Sequence, residues 1–142
     1  IEACRSLYPH LADRLAVCAG PYETPRGGAF DAPFDVVVAK EVIEHVTSPT
    51  DFAEALASRV ARGGELVLTT PNYGRFSTLP LIERTVLEWV ARRDGYSRRH
   101  IHPSRFDRQR LAALDVGPAF ELVEIATTRL GWALFGRWKR TR

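Results

Sequence analysis

Apolar positions along the chain follow two periods, one helical and one extended. Stretches with apolar residues spaced by three and four alternate with short, unbroken apolar runs that end at Gly or Pro. This pattern predicts helices over 1–13, 48–64, 79–94 and 104–114, and strands over 14–19, 34–39, 65–70 and 120–128. The run 34–39 (FDVVVA) does not alternate, which is typical of a parallel strand buried on both faces.

Strands that are separated by helices imply parallel crossover connections. The order therefore predicts an α/β fold with a three-layer, mostly parallel sheet. The 142 residues suit a single domain. The chain begins with Ile1, contains no Met and opens directly in helical periodicity. We therefore expect a fold that is incomplete at its N-terminus.

The helix over 48–64 carries signals for both of its ends. Ser48 can cap it together with Asp51, and Gly63 with Gly64 can supply a left-handed stop. Its core stripe is expected to consist of Phe52, Leu56 and Val60.

Two later helices and the tail have their own signals. The helix over 79–94 should bury one side that consists of Leu79, Ile82, Val86, Trp89 and Val90. Ser104 with Asp107 should open the next helix. The tail 131–142 (GWALFGRWKRTR) is aromatic and basic. It predicts a last strand whose aromatic residues enter the core, with peripheral membrane contact as the alternative.

Polar residues gather where the predicted strands end. In open α/β sheets ligands bind beyond the carboxyl ends of the strands, so this edge is the expected ligand site. It would hold Gly20, Pro21, Tyr22, Ala39, Lys40, Thr70, Pro71 and Asn72. If residues 41–46 are helical, at about 100° per residue, Glu41, Glu44 and His45 face the cleft. Val42, Ile43 and Val46 then pack inward.

Two carboxylates and one imidazole on one face allow two kinds of chemistry. They could hold Mg²⁺ or Mn²⁺, which take oxygen-rich sites, or they could supply a general base. The alternative is a solvated helix N-terminus, where acidic residues favour the helix dipole.

The stretch FDVVVAKEVIEHV over 34–46, a capped helix, and then RGGELVLTTPN over 62–72 resemble class I S-adenosylmethionine-dependent methyltransferases. The group that contains the ubiquinone-pathway O-methyltransferases is the most similar. The resemblance implies a Rossmann-like fold, with Ala39 and Lys40 beside the methionine part of S-adenosylmethionine and with Pro21 and Tyr22 near its adenine. The family's Gly-rich loop and the acidic residue that holds the ribose are expected before Ile1.

The resemblance also implies catalytic roles. Glu41, Glu44 and His45 match a Glu-x-x-Glu-His pattern that binds a metal in some members, including quinone-precursor and RNA 2′-O-methyltransferases. The expected reaction is therefore O-methylation of a small molecule or lipid precursor, with His45 or His102 as base and with Mg²⁺ as an optional cofactor. An exposed loop position is the alternative for His102. The other functions considered are RNA 2′-O-methylation and a degenerate, non-catalytic binding module.

The charge of the chain is distributed unevenly between its two halves. Residues 1–71 carry 6 basic and 10 acidic side chains, and residues 72–142 carry 14 and 7, so the net charges are −4 and +7. A substrate-side insertion is expected over 73–102. Its arginines could attract an acidic substrate or stay solvated; they include Arg92, Arg93, Arg98 and Arg99.

The chain has two cysteines, of which Cys18 is expected in the core, and no visible signal peptide. These features favour a cytoplasmic protein.

Overall fold

A computed structural model describes residues 2–16, 27–95, 97, 102–128 and 130–142. The helices are α1 (Glu2–Leu7), α2 (Pro49–Ala57), α3 (Leu79–Ile82), α4 (Glu88–Arg93) and α5 (Arg108–Ala112). The strands are β1 (Phe34–Lys40), β2 (Val60–Pro71), β3 (Phe120–Thr127) and β4 (Ala133–Arg140). Short 3₁₀ turns span Pro9–Arg14, Gly28–Phe30 and Ile43–His45, and a π-helical turn spans Glu83–Leu87. The predicted strand over 14–19 lies largely outside the described residues, as do Cys18, Gly20, Pro21 and Tyr22.

The described strands form one sheet in the order β1-β2-β4-β3. β1 and β2 are parallel and are connected through α2, as the sequence predicted. β4 is antiparallel to both β2 and β3. The α/β class is confirmed, but among the described strands antiparallel pairs outnumber parallel ones. For β3 and β4 the cause is the short connection between them, because consecutive strands joined so closely pair as an antiparallel hairpin.

The core lies on one face of this sheet. The residues that build it include Ala39, Leu66, Leu68, Leu134 and Trp138 from the strands, Phe52 and Ala53 from α2, and Leu111 from α5. On the opposite face of β1, Val36 and Val38 are 52% and 60% exposed. The prediction that β1 is buried on both faces is therefore wrong for the described part of the chain, whose helices α2 and α5 pack on the core face.

Helix α2 forms as its capping signals predict, but it is shorter. The Ser48 Oγ atom accepts a hydrogen bond from the Asp51 backbone N–H at 3.4 Å, and Phe52 is buried. Val60 belongs to β2 and not to the helix, and Gly63 and Gly64 also lie inside that strand. A side chain at Gly64 would come within 2.7 Å of the Asp35 carbonyl oxygen, so the close approach of β1 requires the glycine.

The helical stretch from Leu79 to Arg93 presents a different side to the protein than its apolar pattern predicts. Glu83, Glu88 and Ala91 are buried. Val86 and Trp89 of the predicted apolar side are 58% and 62% exposed. The π-helical turn that begins at Glu83 adds a residue to one turn, which rotates the residues after it relative to a regular helix.

The C-terminal elements form largely as predicted. Trp138 is 2% exposed within β4, in agreement with a last strand whose aromatic residues enter the core. The cap of α5 is Asp107, whose carboxylate accepts from the Arg110 N–H at 2.7 Å. Ser104 does not cap this helix, because its hydroxyl donates to the Val46 carbonyl. Among the described residues, no helix is both long and apolar enough to cross a membrane.

Candidate active site

The turn after β1 places the first polar residues of the site. Glu41 has a left-handed backbone, with φ of 53°, and only Ile43–His45 are helical, as one 3₁₀ turn. The predicted α-helix over 41–46 is therefore wrong. Its expected burial pattern holds for Ile43 and Val46, whereas Val42 is 39% exposed and Glu44 is buried. A non-glycine residue in this region costs about 1 kcal/mol or more and marks a turn that its surroundings hold in place.

The last residues of β2 hold the two carboxylates of this turn. The Thr69 hydroxyl donates to Glu41 Oε1 at 2.9 Å, and the Thr70 hydroxyl donates to Glu44 Oε2 at 3.2 Å. Glu44 is 1% exposed. Burial, reinforced by repulsion from Glu41, raises the pKa of the Glu44 carboxyl above its ordinary value. A group in this state gains from a nearby cation, because a cation stabilises the charged form.

Two imidazoles join Glu44. The His45 Nε2 atom lies 3.7 Å from Glu44 Oε1. The rings of His45 and His102 meet edge to face, with 4.7 Å between their centroids. One ligand atom from each of Glu44, His45 and His102 lies within 4.8 Å of the others, so these three side chains could hold a metal ion. Glu41 is outside this group. The sequence-based metal set of Glu41, Glu44 and His45 stays a prediction, and the structure adds His102 to it.

His102 is held from its other side by a tyrosine and a buried glutamate. The His102 Nδ1 atom is in contact with the Tyr73 hydroxyl and lies 3.4 Å from Glu83 Oε1. The Tyr73 hydroxyl donates to Glu83 Oε1 at 3.0 Å. The imidazole of His102 is 9% exposed, so the alternative of an exposed loop histidine does not hold.

Tyr73 is itself fixed by the backbone that follows β2. Its N–H donates to the Phe106 carbonyl at 2.7 Å. Burial in the first place, and then the hydrogen bond and charge of Glu83, raise the pKa of Tyr73 well above its ordinary value. Tyr73 is therefore a neutral hydroxyl that can donate one hydrogen bond.

These residues line a cleft of about 350 Å³. Its walls consist of Glu41, Glu44, His45, Pro71, Tyr73, Leu79, Glu83, His102, Trp132 and Ala133. The sequence-predicted residues Glu41, Glu44 and His45 therefore reach one cleft, as expected of the carboxyl ends of β1 and β2. Ala39 is buried in the core and Lys40 is exposed at the end of β1. Pro21 and Tyr22 lie outside the described residues.

Sequence reasoning missed three lining residues that carry polar groups, namely Tyr73, Glu83 and Trp132. Tyr73 follows directly after the polar end of β2, so the strand-end rule that singled out Thr70 and Asn72 could have included it. Glu83 and Trp132 carried no comparable signal, because the helix register and the hairpin turn decide where they lie. The Trp132 indole N–H donates to the Thr78 hydroxyl at 2.8 Å, which ties the β3–β4 turn to the start of α3.

The comparison with protein families identifies the class. The family described as "Methyltransferase domain" matches residues 6–117, which is more than half of the chain. The chain therefore belongs to the methyltransferase domain family, and its resemblance to class I S-adenosylmethionine-dependent methyltransferases is confirmed.

Curated relatives come from quinone biosynthesis. The mitochondrial ubiquinone biosynthesis O-methyltransferase of Schizosaccharomyces pombe is 38% identical over 84 residues, which are 57% of this chain and 30% of that protein. The ubiquinone biosynthesis O-methyltransferase of Caulobacter sp. is 45% identical over 40 residues, 28% of this chain and 16% of that protein. The chain thus spans less than a third of the curated relatives that it matches.

Solved structures share the fold. TnmH aligns with a TM-score of 0.64 and 13% identity over 99% of this chain and 40% of that one. A putative methyltransferase from Bacillus halodurans aligns with a TM-score of 0.62 and 11% identity, over 99% of this chain and 78% of that one. The N-methyltransferase NodS from Bradyrhizobium japonicum, in complex with S-adenosyl-L-homocysteine, gives 0.52 at 14% identity, over 99% and 60%. These likenesses confirm the Rossmann-like fold, and the demethylated product bound to NodS fits S-adenosylmethionine as the cofactor of the family.

Proposed function

We propose that the protein transfers a methyl group from S-adenosylmethionine to a hydroxyl group of a small molecule or lipid precursor. One observation supports this proposal most strongly. A buried carboxylate and two imidazoles, from Glu44, His45 and His102, meet in a cleft at the carboxyl end of a parallel strand. Both curated relatives named above are O-methyltransferases by name.

The transfer is a displacement at the methyl carbon of the sulfonium. The hydroxyl oxygen forms a C–O bond, the C–S bond breaks with its electron pair left on sulfur, and the hydroxyl proton leaves to a base. His45 and His102 are the imidazoles in the cleft that can take this proton. The protein otherwise supplies alignment of the nucleophile with the methyl group.

The cluster fits a divalent cation. Its carboxylate is buried, which disfavours an uncompensated charge, and the imidazoles add two neutral ligands. When bound, such a cation would lower the pKa of the acceptor hydroxyl. Glu44, His45 and His102 would hold it. The sequence pattern favoured Mg²⁺, whereas a ligand set with two imidazoles suits Mn²⁺ better.

Calorimetry of the protein tests whether it binds the cofactor. Injected S-adenosylmethionine should give a saturable heat, and the protein with excess cofactor should unfold at a higher temperature. The absence of both effects would leave a non-catalytic binding module as the surviving alternative.

A metal-dependence assay tests the cluster. Methyl transfer to a phenolic acceptor should stop in the presence of chelator and return on addition of Mn²⁺ or Mg²⁺. Glu44→Ala should remove this dependence together with the activity, whereas Glu54→Ala, an exposed carboxylate on α2, should leave both unchanged. Activity that is indifferent to chelator would refute the metal, and the imidazoles would then act as bases alone.

RNA methylation is the weaker alternative. Three carboxylates, from Glu41, Glu44 and Glu83, line the cleft, and carboxylates repel the phosphates on which nucleic-acid binding depends. The proposal of small-molecule O-methylation keeps three further parts. They are a cytoplasmic location, a substrate-side insertion over 73–102, and cofactor contacts from Pro21, Tyr22, Ala39 and Lys40.

Peripheral membrane contact also stays a proposal, but on a different surface. Trp138 of the tail is buried, whereas Phe76 and Trp89 are 93% and 62% exposed. The guanidinium of Arg75 lies 5.5 Å from the centre of the Phe76 ring, and that of Arg93 lies 5.5 Å from the centre of the Trp89 ring. Exposed aromatics beside arginines suit the surface of an anionic bilayer.

A further inference from the structure

Helix α3, the π-helical turn and α4 bury the wrong residues for a helix that only covers a core. Two carboxylates, Glu83 and Glu88, face inward, and large apolar residues face outward. A carboxylate is costly to bury unless its oxygens are hydrogen-bonded. Such departures from the local pattern are expected where a residue serves a site. Glu83 lies at the first residue of a π-helical turn, a feature that is frequent at functional sites.

Glu83 reaches the metal-ligand cluster through one hydroxyl group. A carboxylate only accepts hydrogen bonds, so the Tyr73 hydroxyl must use its one proton to donate to Glu83 Oε1, at 3.0 Å. The Tyr73 oxygen can then only accept from His102 Nδ1, which it contacts. The same nitrogen lies 3.4 Å from the Glu83 carboxylate, which also favours a proton on it. The contacts with Tyr73 and Glu83, taken among the described residues, therefore favour the proton of neutral His102 on Nδ1.

The opposite arrangement is unfavourable. If Tyr73 donated to His102 instead, the buried Glu83 carboxylate would lose this donor and would face a nitrogen lone pair. A buried acceptor that loses its donor is left with its desolvation penalty, which is larger when the acceptor is charged. This penalty should favour the Nδ1–H tautomer by about tenfold or more.

From this geometry we propose that Tyr73 and Glu83 are positioning residues that hold His102 as its Nδ1–H tautomer, so that its Nε2 lone pair serves the cluster with Glu44 and His45. The proposal rests on the proposed function for the use of that lone pair, but the tautomer itself does not depend on it. Neither Tyr73 nor Glu83 needs to touch the substrate. They act as the outer hydrogen-bond partners that orient a metal-ligating or proton-accepting imidazole.

The tautomer can be measured without any turnover. In the protein labelled with ¹⁵N at histidine, long-range proton–nitrogen correlation distinguishes a nitrogen that carries a proton from one that does not. The chain has 4 histidines, and His102→Gln assigns the signal. We expect Nδ1 protonated and Nε2 unprotonated in the metal-free wild type at pH 8. A wild-type spectrum with the proton on Nε2 would overturn the proposal.

A set of variants tests the cause. In Glu83→Leu, Tyr73 loses its acceptor and can donate to His102 Nδ1, so the proton should move to Nε2. Glu83→Gln keeps an amide oxygen that accepts from Tyr73, so the wild-type tautomer should return. Glu88→Leu is the matched control, because Glu88 is equally buried on the same helical stretch but accepts from Arg92 and Ser97. Retention of the Nδ1 proton in a folded Glu83→Leu protein would refute the role of Glu83.

Mn²⁺ affinity, followed by electron paramagnetic resonance, reports the consequence. Loss of an outer hydrogen-bond partner lowers metal affinity about 10- to 100-fold, so Glu83→Leu should bind Mn²⁺ correspondingly more weakly and Glu83→Gln close to wild type. If Glu83→Leu does not fold, the wild-type spectrum and the Glu83→Gln variant still test whether His102 is held as its Nδ1–H tautomer. If the wild type has the Nδ1 proton but does not bind Mn²⁺, the positioning role stands and the proposed metal is what fails.

Discussion

Replacement of Glu44 by glutamine should show how much the buried charge of this carboxylate lowers the stability of the fold, separately from its role in the site. Glu44 is 1% exposed, and the Thr70 hydroxyl donates to its carboxylate at 3.2 Å. Glutamine keeps the shape of the side chain and an oxygen that can accept from Thr70, but it removes the charge. In the presence of chelator, we expect Glu44→Gln to be more stable than the wild type at neutral pH.

The magnitude follows from two opposing terms. Taking a carboxylate out of water costs several kcal/mol after relaxation. A hydrogen bond to a charged group returns about 1.5–3 kcal/mol, and a neutral one about half of that. The net gain of Glu44→Gln is therefore about 1–3 kcal/mol. For a chain of this length that corresponds to an increase in Tm of roughly 3–12 °C.

The pH dependence has a definite sign. Because burial raises the pKa of native Glu44 above 4.5, the native state binds more protons than the unfolded state between the two pKa values. Stability therefore falls as the pH rises through that interval. The advantage of Glu44→Gln should be small at pH 4 and should grow until the pH exceeds the native pKa.

Denaturant unfolding followed by circular dichroism, repeated from pH 4 to pH 8 with chelator, measures this difference. Glu54→Gln is the control, because Glu54 is exposed on α2 and its replacement should change stability by less than about 0.5 kcal/mol. A Glu44→Gln protein that is less stable than the wild type at pH 7, or an advantage that does not vary with pH, would refute the reasoning.

Three further changes test the fold and the surface. Gly136→Ala should destabilise the protein by about 1–3 kcal/mol, because its Cβ would lie 2.5 Å from a ring carbon of the buried Trp138. In chemical denaturation, Gly136→Ala should cost less in a Trp138→Phe background than in the wild type, and an equal cost in both backgrounds would contradict the clash. Ser48→Ala should cost about 1 kcal/mol in the same assay through loss of the α2 cap, and no change would mean that the 3.4 Å contact contributes nothing. Trp89→Ala should weaken sedimentation with phosphatidylglycerol vesicles but not the Tm, since the ring is 62% exposed; unchanged sedimentation would remove this surface from the proposed membrane contact.

The local sequence determined the elements whose signals, such as a capping residue or an apolar pattern, lie within a few positions of each other. Ser48 caps α2 as its hydroxyl and spacing predict, and the strands predicted over 34–39 and 120–128 form as β1 and β3. The polar turn after β1 reaches a cleft because parallel strands β1 and β2 end at the same edge of a sheet. These features depend on residues within a few positions of each other or on a rule of sheet topology, so one sequence is enough to predict them.

Tertiary structure decided which side chains meet. A 3₁₀ turn with Glu41 in the left-handed region replaced the expected α-helix, which turned Glu44 into the protein and Val42 outward. The contact of His102 with His45 joins residues that are far apart along the chain, and the inward side of the helical stretch was set by Glu83 and its partners and not by its apolar period. Periodicity reports only how apolar a face is. The energy of a buried hydrogen bond between distant groups can exceed that preference, and it exists only once the chain has folded.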